Sequence, residues 1–401
     1  MRHVLGDNTI LGYCTNVHAG ADLAETTANL ETHAVRVKSI VCPDEPMGVG
    51  LWLSAKTARQ LIDDDKVQWF ADWLAERGLL AYTINGFPYG DFHRDVVKLD
   101  VYTPTWKDDA RLQYTLDLAN ILTALLGDDA EGSISTLPIG WGPAFYEEED
   151  KDAAAAQLAK LADELAGIEQ RCGKLIHVCL EPEPGCLLDT AADVAAFYEH
   201  HLLPAGDEAR LRRHLRVCHD VCHSAVMFEP QEEAIATYDA AGIAIGKVQL
   251  SAAVRALFDA DDVQQRFAVM DQLKTFDEKR YLHQTVVDSP HNFFKSMYTD
   301  LPEMIEQEEA LLEDDFNALR EARVHFHVPL FAASFDLLES TQPAVVACLE
   351  ALRGREVRHF EVETYAWDVL PAAMQADELA AGIARELQWV SEAASEARPA
   401  T

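Results

Sequence analysis

Short apolar runs rich in β-branched residues recur along the chain at intervals long enough to hold a helix, and this rhythm limits the fold more than any other feature. The runs are Leu11–Val17, Val49–Ser54, Leu79–Asn85, Ser133–Ile139, Leu175–Glu181, Val217–Asp220, Ile245–Ser251, Tyr281–Val287, Val324–Leu330 and Phe360–Tyr365. The intervening stretches carry helical period. In Lys151–Arg171, Leu158, Leu161, Leu165 and Ile168 recur every three or four residues, as one buried face requires. Thr57–Arg77 and Thr341–Leu352 read the same way, closed by Gly78 and Gly354. Strands separated by helices pair in parallel with the helices outside. At 401 residues, a single α/β domain over 1–401 closing into a (β/α)8 TIM barrel is the expected form. Ten runs exceed the eight a barrel needs. The surplus places an insertion between the seventh and eighth strands, at about 256–358, with an acidic helix near Pro302–Arg320, over the barrel mouth.

Charge bears on partners. Asp and Glu number 68 against 33 Lys and Arg, a formal net charge of −35. A nucleic-acid partner is disfavoured, because phosphate binding needs a basic stripe. No apolar run approaches the roughly 18 residues of a membrane span, so no membrane insertion is expected. The start, MRHVLGDNTI, lacks the apolar core of a secretory signal, which points to the cytoplasm. Cys14, Cys179, Cys218 and Cys348 sit in apolar runs, as reduced buried thiols do. Cys218 and Cys222, beside His219 and His223, raise a zinc reading, but no second cysteine pair of matching spacing exists. The last residues, SEARPAT, are expected to fray.

In a (β/α)8 barrel the chemistry sits at the carboxyl ends of the strands. KLIHVCLEPEPG ends a strand on Glu181, and a carboxylate after an apolar run is costly unless paired or metal-bound. Glu183, two residues on, reads as a solvated loop residue. LRVCHDVCH delivers Asp220 and, three residues later, His223, where the alternative is a helix-starting Asp beside a half-buried His. GKVQLSAAVR carries Gln249 on a strand and Arg255 on the following loop, the latter suited to a substrate hydroxyl or carboxylate. RHFEVETYAW supplies Glu361 and Glu363 on one face, with Glu363 nearer the carboxyl end. Two carboxylates, an Asp and an amide form an oxygen-rich set suited to Mn²⁺, Mg²⁺ or Co²⁺, with Zn²⁺ favoured if several histidines bind.

These strand ends, in this order, resemble the xylose isomerase-like barrel superfamily of hydroxypyruvate isomerase, ketose 3-epimerases, inosose dehydratase and endonuclease IV. The matches are Glu181 in LEPEPG, Asp220 and His223 in HDVCH, Gln249 in KVQLS and Glu363 in EVET. The resemblance implies one divalent metal held by Glu181, Asp220, Gln249 and Glu363, with Arg255 at the spacing of an epimerase substrate arginine. LGYCTNVH, YLHQTVV, HFHVPLF and HFEVETYAW further resemble the EboE-type metabolite traffic proteins, a branch of that superfamily. That branch implies a small-molecule precursor. Asn16 and His18 then end the first strand facing the pocket, while His283, His325 and His327 fall in the insertion, as a lid, as added ligands or as buried histidines bonded to backbone.

The chemistry implied is proton transfer next to a carbonyl in a small polyhydroxy substrate, an isomerase or epimerase reaction. Glu181 and Glu363 are the expected acid–base pair, and His223, Arg255, His18, Asn16, His283 and His327 the expected substrate contacts. A metabolite carrier on the same barrel and an endonuclease IV-like hydrolase are the alternatives, the second opposed by the charge. A phosphatase or amidohydrolase is opposed by the lack of an early H-x-H strand motif. The sequence does not set the oligomeric state.

Overall fold

A computed structural model describes residues 8–127, 131–145, 147–289, 295–313, 319–372, 374–375 and 378–396. Most of SEARPAT lies outside the described residues. Eight parallel strands close a barrel: β1 (Ile10–Cys14), β2 (Met47–Trp52), β3 (Leu79–Asn85), β4 (Glu131–Thr136), β5 (Leu175–Leu180), β6 (Leu215–Asp220), β7 (Ile245–Leu250) and, last in the chain, β14 (His359–Val362). β1 pairs with β2 on one side and with β14 on the other, where Ile10 faces His359, and this closes the ring. Every residue of β2 and β7 is buried, as strands covered on both faces require.

Helices cover the outside. Glu148–Cys172 buries Leu158, Leu161, Leu165 and Ile168 and ends at Gly173, whose φ of +75° closes the last turn. The expected single helix over Thr57–Arg77 is instead two, Ala55–Asp63 and Val67–Glu76. The break falls on Asp64–Lys66, where Asp65 takes φ +53°. Adjacent like charges in Asp63, Asp64 and Asp65 at a helix carboxyl end oppose its dipole, which favours stopping there.

Between β7 and β14 the chain builds a second, six-stranded sheet from β8 (Val254–Leu257), β9 (Thr285–Asp288), β10 (Ser296–Tyr298), β11 (Glu321–Val324), β12 (Ser334–Phe335) and β13 (Leu338–Ser340), in the order β10-β9-β11-β8-β13-β12. β9 overlaps the expected run Tyr281–Val287 from Thr285 onward, whereas β11 precedes the expected run Val324–Leu330 and meets it only at Val324. HFHVPL leaves β11 rather than extending it, so His325 and His327 sit on irregular backbone. The expected acidic helix forms over Leu301–Glu308 with a following turn to Leu311, and residues 314–318 lie outside the described ones.

All eight cysteines are free thiols, six of them buried. No helix among the described residues is long and apolar enough to cross a membrane.

The barrel interior is polar at its centre. Lys247 on β7 and Glu361 on β14, both fully buried, pair at 2.6 Å. Gly50 on β2 makes room for that carboxylate: a β-carbon there would lie 1.2 Å from Glu361 Oε1. Gly50→Ala must displace the buried ion pair and is expected to cost about 1–3 kcal/mol, read as a lower urea midpoint.

Candidate metal centre

Four barrel strands deliver oxygen-bearing side chains to one end of the cylinder. Glu181 follows β5, Asp220 ends β6, Gln249 lies in β7 and Glu363 follows β14. Ligand atoms of Glu181, Asp220 and Glu363 lie within 4.8 Å of one another, and all three residues are buried. Gln249 joins them by donating Nε2 to Glu181 Oε1 at 2.8 Å.

The remaining hydrogen bonds show what is left over. Asp220 Oδ1 caps the helix Val221–Val226 by accepting from the His223 amide at 3.0 Å, and also accepts from Ser251 Oγ at 2.7 Å. Glu363 Oε1 accepts from Asn16 Nδ2 at 2.6 Å and Asn85 Nδ2 at 3.0 Å. Glu181 Oε2, Asp220 Oδ2, Gln249 Oε1 and His327 Nε2 are buried without a hydrogen-bond partner. All four can act as acceptors. A cluster of buried lone pairs lacking donors is costly alone and fits a divalent cation.

The electrostatics agree. Burial, then the charges of Glu181 and Asp220, push the Glu363 carboxyl well up. Burial raises Glu181 to about 7, against the opposing pull of His223. Burial also pushes Asp220 up, but His223, His327, Ser251 and the His223 amide outweigh it, and the net shift is downward. Three carboxylates this close cannot all ionise without a compensating charge.

Three histidines stand beside them. His223 Nδ1 donates to Pro182 O at 2.8 Å, and His327 Nδ1 to Glu363 O at 2.8 Å. Gln284 Nε2 bonds Glu183 Oε1 and Pro184 O, which turns its carbonyl oxygen toward His325 Nδ1 at 2.8 Å. His223, His325 and His327 line one wall of a narrow cavity of about 60 Å³, together with Glu181, Glu183 and Glu363. Phe87, Phe92, Tyr102, Tyr281 and Tyr365 give it an aromatic wall, and Asn16 and Asn85 also line it. No arginine lines it among the described residues, and Lys98 at its edge pairs with Asp300 at 2.5 Å.

No protein-family model matches the chain, and no curated protein matches it. Solved structures do. A xylose isomerase-like TIM barrel protein from Mycobacterium smegmatis, in complex with magnesium, matches with a TM-score of 0.53 at 11% identity, covering 99% of each chain. A D-tagatose 3-epimerase-like protein matches with a TM-score of 0.50 at 12% identity, over 97% of this chain and 99% of that one. The fold is a xylose isomerase-like TIM barrel.

Within this xylose isomerase-like barrel several sequence expectations are corrected. His18 does not line the cavity: the turn Thr15–Val17 after β1 points Asn16 inward and leaves His18 behind it, bonded to Tyr13 at 3.0 Å and stacked on His33. Arg255 is not on a loop but on β8, where Glu321 and Glu339 hold its guanidinium outside the cavity. His283 also misses the cavity, bonding the His325 carbonyl and Glu278, each at 2.9 Å. Glu183 is buried rather than solvated, accepting from Tyr102 at 2.8 Å. Cys218 and His219 do not join the cluster, since His219 bonds Gln231, whereas Cys222 lies near His325 and His327.

Asn85 and Gln284 were not anticipated. Asn85 was within reach, being the polar end of an expected strand, as Glu181 is. Gln284 was not, because its partners lie about 100 and 182 residues away. Arg255→Ala is expected to lower stability by about 1 kcal/mol, as loss of a half-exposed ion pair does, and to leave divalent-cation affinity unchanged in calorimetry.

Proposed function

We propose that this barrel is a divalent-metal-dependent isomerase or epimerase that moves a proton next to a carbonyl of a small polyhydroxy substrate. The observation that carries the reading is the convergence of unpartnered buried acceptors from Glu181, Asp220 and Gln249 beside Glu363. Glu181, Asp220, Gln249 and Glu363 would hold the ion, with Mn²⁺, Mg²⁺ or Co²⁺ suited to the oxygen donors. A bound divalent ion supplies Lewis-acid stabilisation of negative charge developing on substrate oxygen.

The chain's own groups do the rest. Glu181 and Glu363 are the carboxylates that would take and return a carbon-bound proton. Asn16 and Asn85 fix the Glu363 rotamer, and Gln249 fixes Glu181. The aromatic wall excludes water and offers faces to the C–H side of a ring or chain. Without an arginine or an unpaired lysine in the wall among the described residues, an uncharged, unphosphorylated substrate fits best. The charge of −35 argues against a nucleic-acid substrate. The motifs that resemble EboE-type metabolite traffic proteins support a small-molecule precursor as that substrate.

The test is solvent exchange. Incubated in D₂O with Mn²⁺ and a panel of unphosphorylated ketoses and keto-cyclitols, the native chain is expected to place deuterium on the carbon beside the carbonyl. Glu363→Gln should slow this by about 10²–10⁴-fold. Sugar binding with no exchange on any panel member would overturn the enzymatic reading in favour of a carrier.

pH gives a further expectation. Glu181 sits near 7 in the metal-free fold and near 4.3 when unfolded, so its burial costs stability increasingly as pH rises through that window. A cation removes the cost but must displace the proton. Its affinity therefore falls as pH drops below about 7, which calorimetry at pH 5.5 and 7.5 would register.

A further inference from the structure

We propose that residues 90–102, which follow β3 and cross the barrel mouth, form a gate that must swing outward before a substrate or a cation reaches the carboxylates, with the pair Lys98–Asp300 as its latch. The proposed carboxylate site enters only as the place to which the gate gives access.

The first observation is one of size. Small-molecule sites enclose roughly 300–1,000 Å³, whereas the cavity over Glu181 and Glu363 holds about 60 Å³. On the outer side of the same segment lies a second hollow of about 300 Å³, lined in part by Tyr89, Arg94 and Asp100. Pro88, Phe92, Val97 and Val101 line both spaces. The segment is therefore a partition, and moving it joins the two into a site of ordinary size.

The second observation is how the partition is held. Its ends are anchored: the fully buried guanidinium of Arg111 donates to Gly86 O at 2.9 Å and Phe87 O at 3.0 Å on one side and to Pro104 O at 2.9 Å on the other. Between these anchors a polar seam closes it over the mouth. The Val97 and Lys98 amides donate to Arg280 O of the insertion at 2.7 and 3.0 Å, and Lys98 Nζ pairs with Asp300 at 2.5 Å. Tyr102 donates to Glu183 at 2.8 Å. His93 Nε2 donates to Asn16 O at 2.5 Å, and its Nδ1 accepts from the Tyr281 hydroxyl at 3.3 Å. Asn16 in turn holds Glu363, so the closed segment braces the site it covers. Lys98 takes φ +41°, a posture uncommon for a residue with a β-carbon and kept only while its neighbours hold it. Fixed ends, a polar seam and a strained latch residue let a loop open locally while the barrel stays folded.

Hydrogen exchange of the full chain tests the gate without any ligand. The Val97 and Lys98 amides are expected to exchange by a local opening, at a rate indifferent to urea below the unfolding transition. Lys98→Met and Asp300→Asn, which keeps the acceptor for the His283 and Leu301 amides, should each speed that exchange about fivefold, as loss of one partly exposed ion pair allows, and leave β5 unmoved. A second arm follows loading of Co²⁺ and its stripping by chelator, through quenching of tryptophan fluorescence in stopped flow. Both variants should quicken loading and stripping alike at unchanged affinity. Charge alone would instead drive the two variants in opposite directions, because one removes a positive group and the other a negative one. Strap amides that exchange only with global unfolding in the native chain, or loading rates that move oppositely in the two variants, overturn the gate. If no cation binds, the carboxylate reading fails while the exchange measurement still decides the gate.

Discussion

Stripping divalent cations from the native chain is expected to lower its thermal midpoint sharply, and Glu363→Gln is expected to abolish most of that difference. An ion that binds only the folded state adds about 4 kcal/mol at a thousand times its dissociation constant. Here the gain also relieves repulsion in the metal-free fold, where three buried carboxylates lie within 4.8 Å and burial pushes the carboxyls of Glu181 and Glu363 up. Glu363→Gln keeps the side-chain volume and an acceptor for Asn16 and Asn85 while removing one of the repelling charges. Without metal the variant should therefore unfold at or above the native midpoint. With metal it should fall below, its affinity reduced by more than the roughly 10–100-fold that loss of an outer partner costs. Differential scanning calorimetry with and without chelator separates the two effects. A native midpoint indifferent to chelator, in protein that had contained metal, would remove the basis of the metal reading.

The parts of this candidate site legible in the sequence share one property: each is a polar residue within or at the end of an apolar run. Glu181, Asp220, Gln249 and Glu363 could be picked out because burying such a group at a strand end has a local signature, and parallel strands bring their carboxyl ends to one rim. Arg255 was misplaced because spacing along the chain cannot reveal a new strand. Once β8 pairs with β11 and β13, Glu321 and Glu339 are its neighbours and the cavity is not. His18 was misplaced by a single turn of 3₁₀ helix that no periodicity announces. Glu183 read as solvated because EPEP looks like an exposed loop, yet Tyr102 and Gln284, distant in sequence, enclose it. The two histidines of HFHVPL were legible as a pair on one side of the chain. Their common tautomer depends on carbonyls supplied by other segments and could only be seen in three dimensions.

Lys247→Met is expected to cost about 3–5 kcal/mol, the loss that follows when one partner of a buried pair is removed and the other charge is stranded. Lys247 and Glu361 are each fully buried and 2.6 Å apart, and the carboxylate fills the space that Gly50 leaves by lacking a β-carbon. The Lys247 ammonium has one further bond, to Ser135 Oγ at 3.2 Å, so Glu361→Leu alone should strand it in turn. The double variant Lys247→Met with Glu361→Leu removes both charges and should recover most of the loss, because an apolar pair of similar volume can replace a buried ion pair at little net cost. The same ammonium also lowers the carboxyls of Glu181 and Glu363 through the barrel centre. Lys247→Met should therefore weaken cation binding as well as folding, since the ligands become harder to deprotonate. Urea unfolding of the two single variants and the double variant in the presence of chelator closes the cycle without interference from bound metal. A cost below about 1 kcal/mol for Lys247→Met would mean that Glu361 is neutral in the folded barrel, and the central ion pair would then contribute nothing to tuning the rim above it.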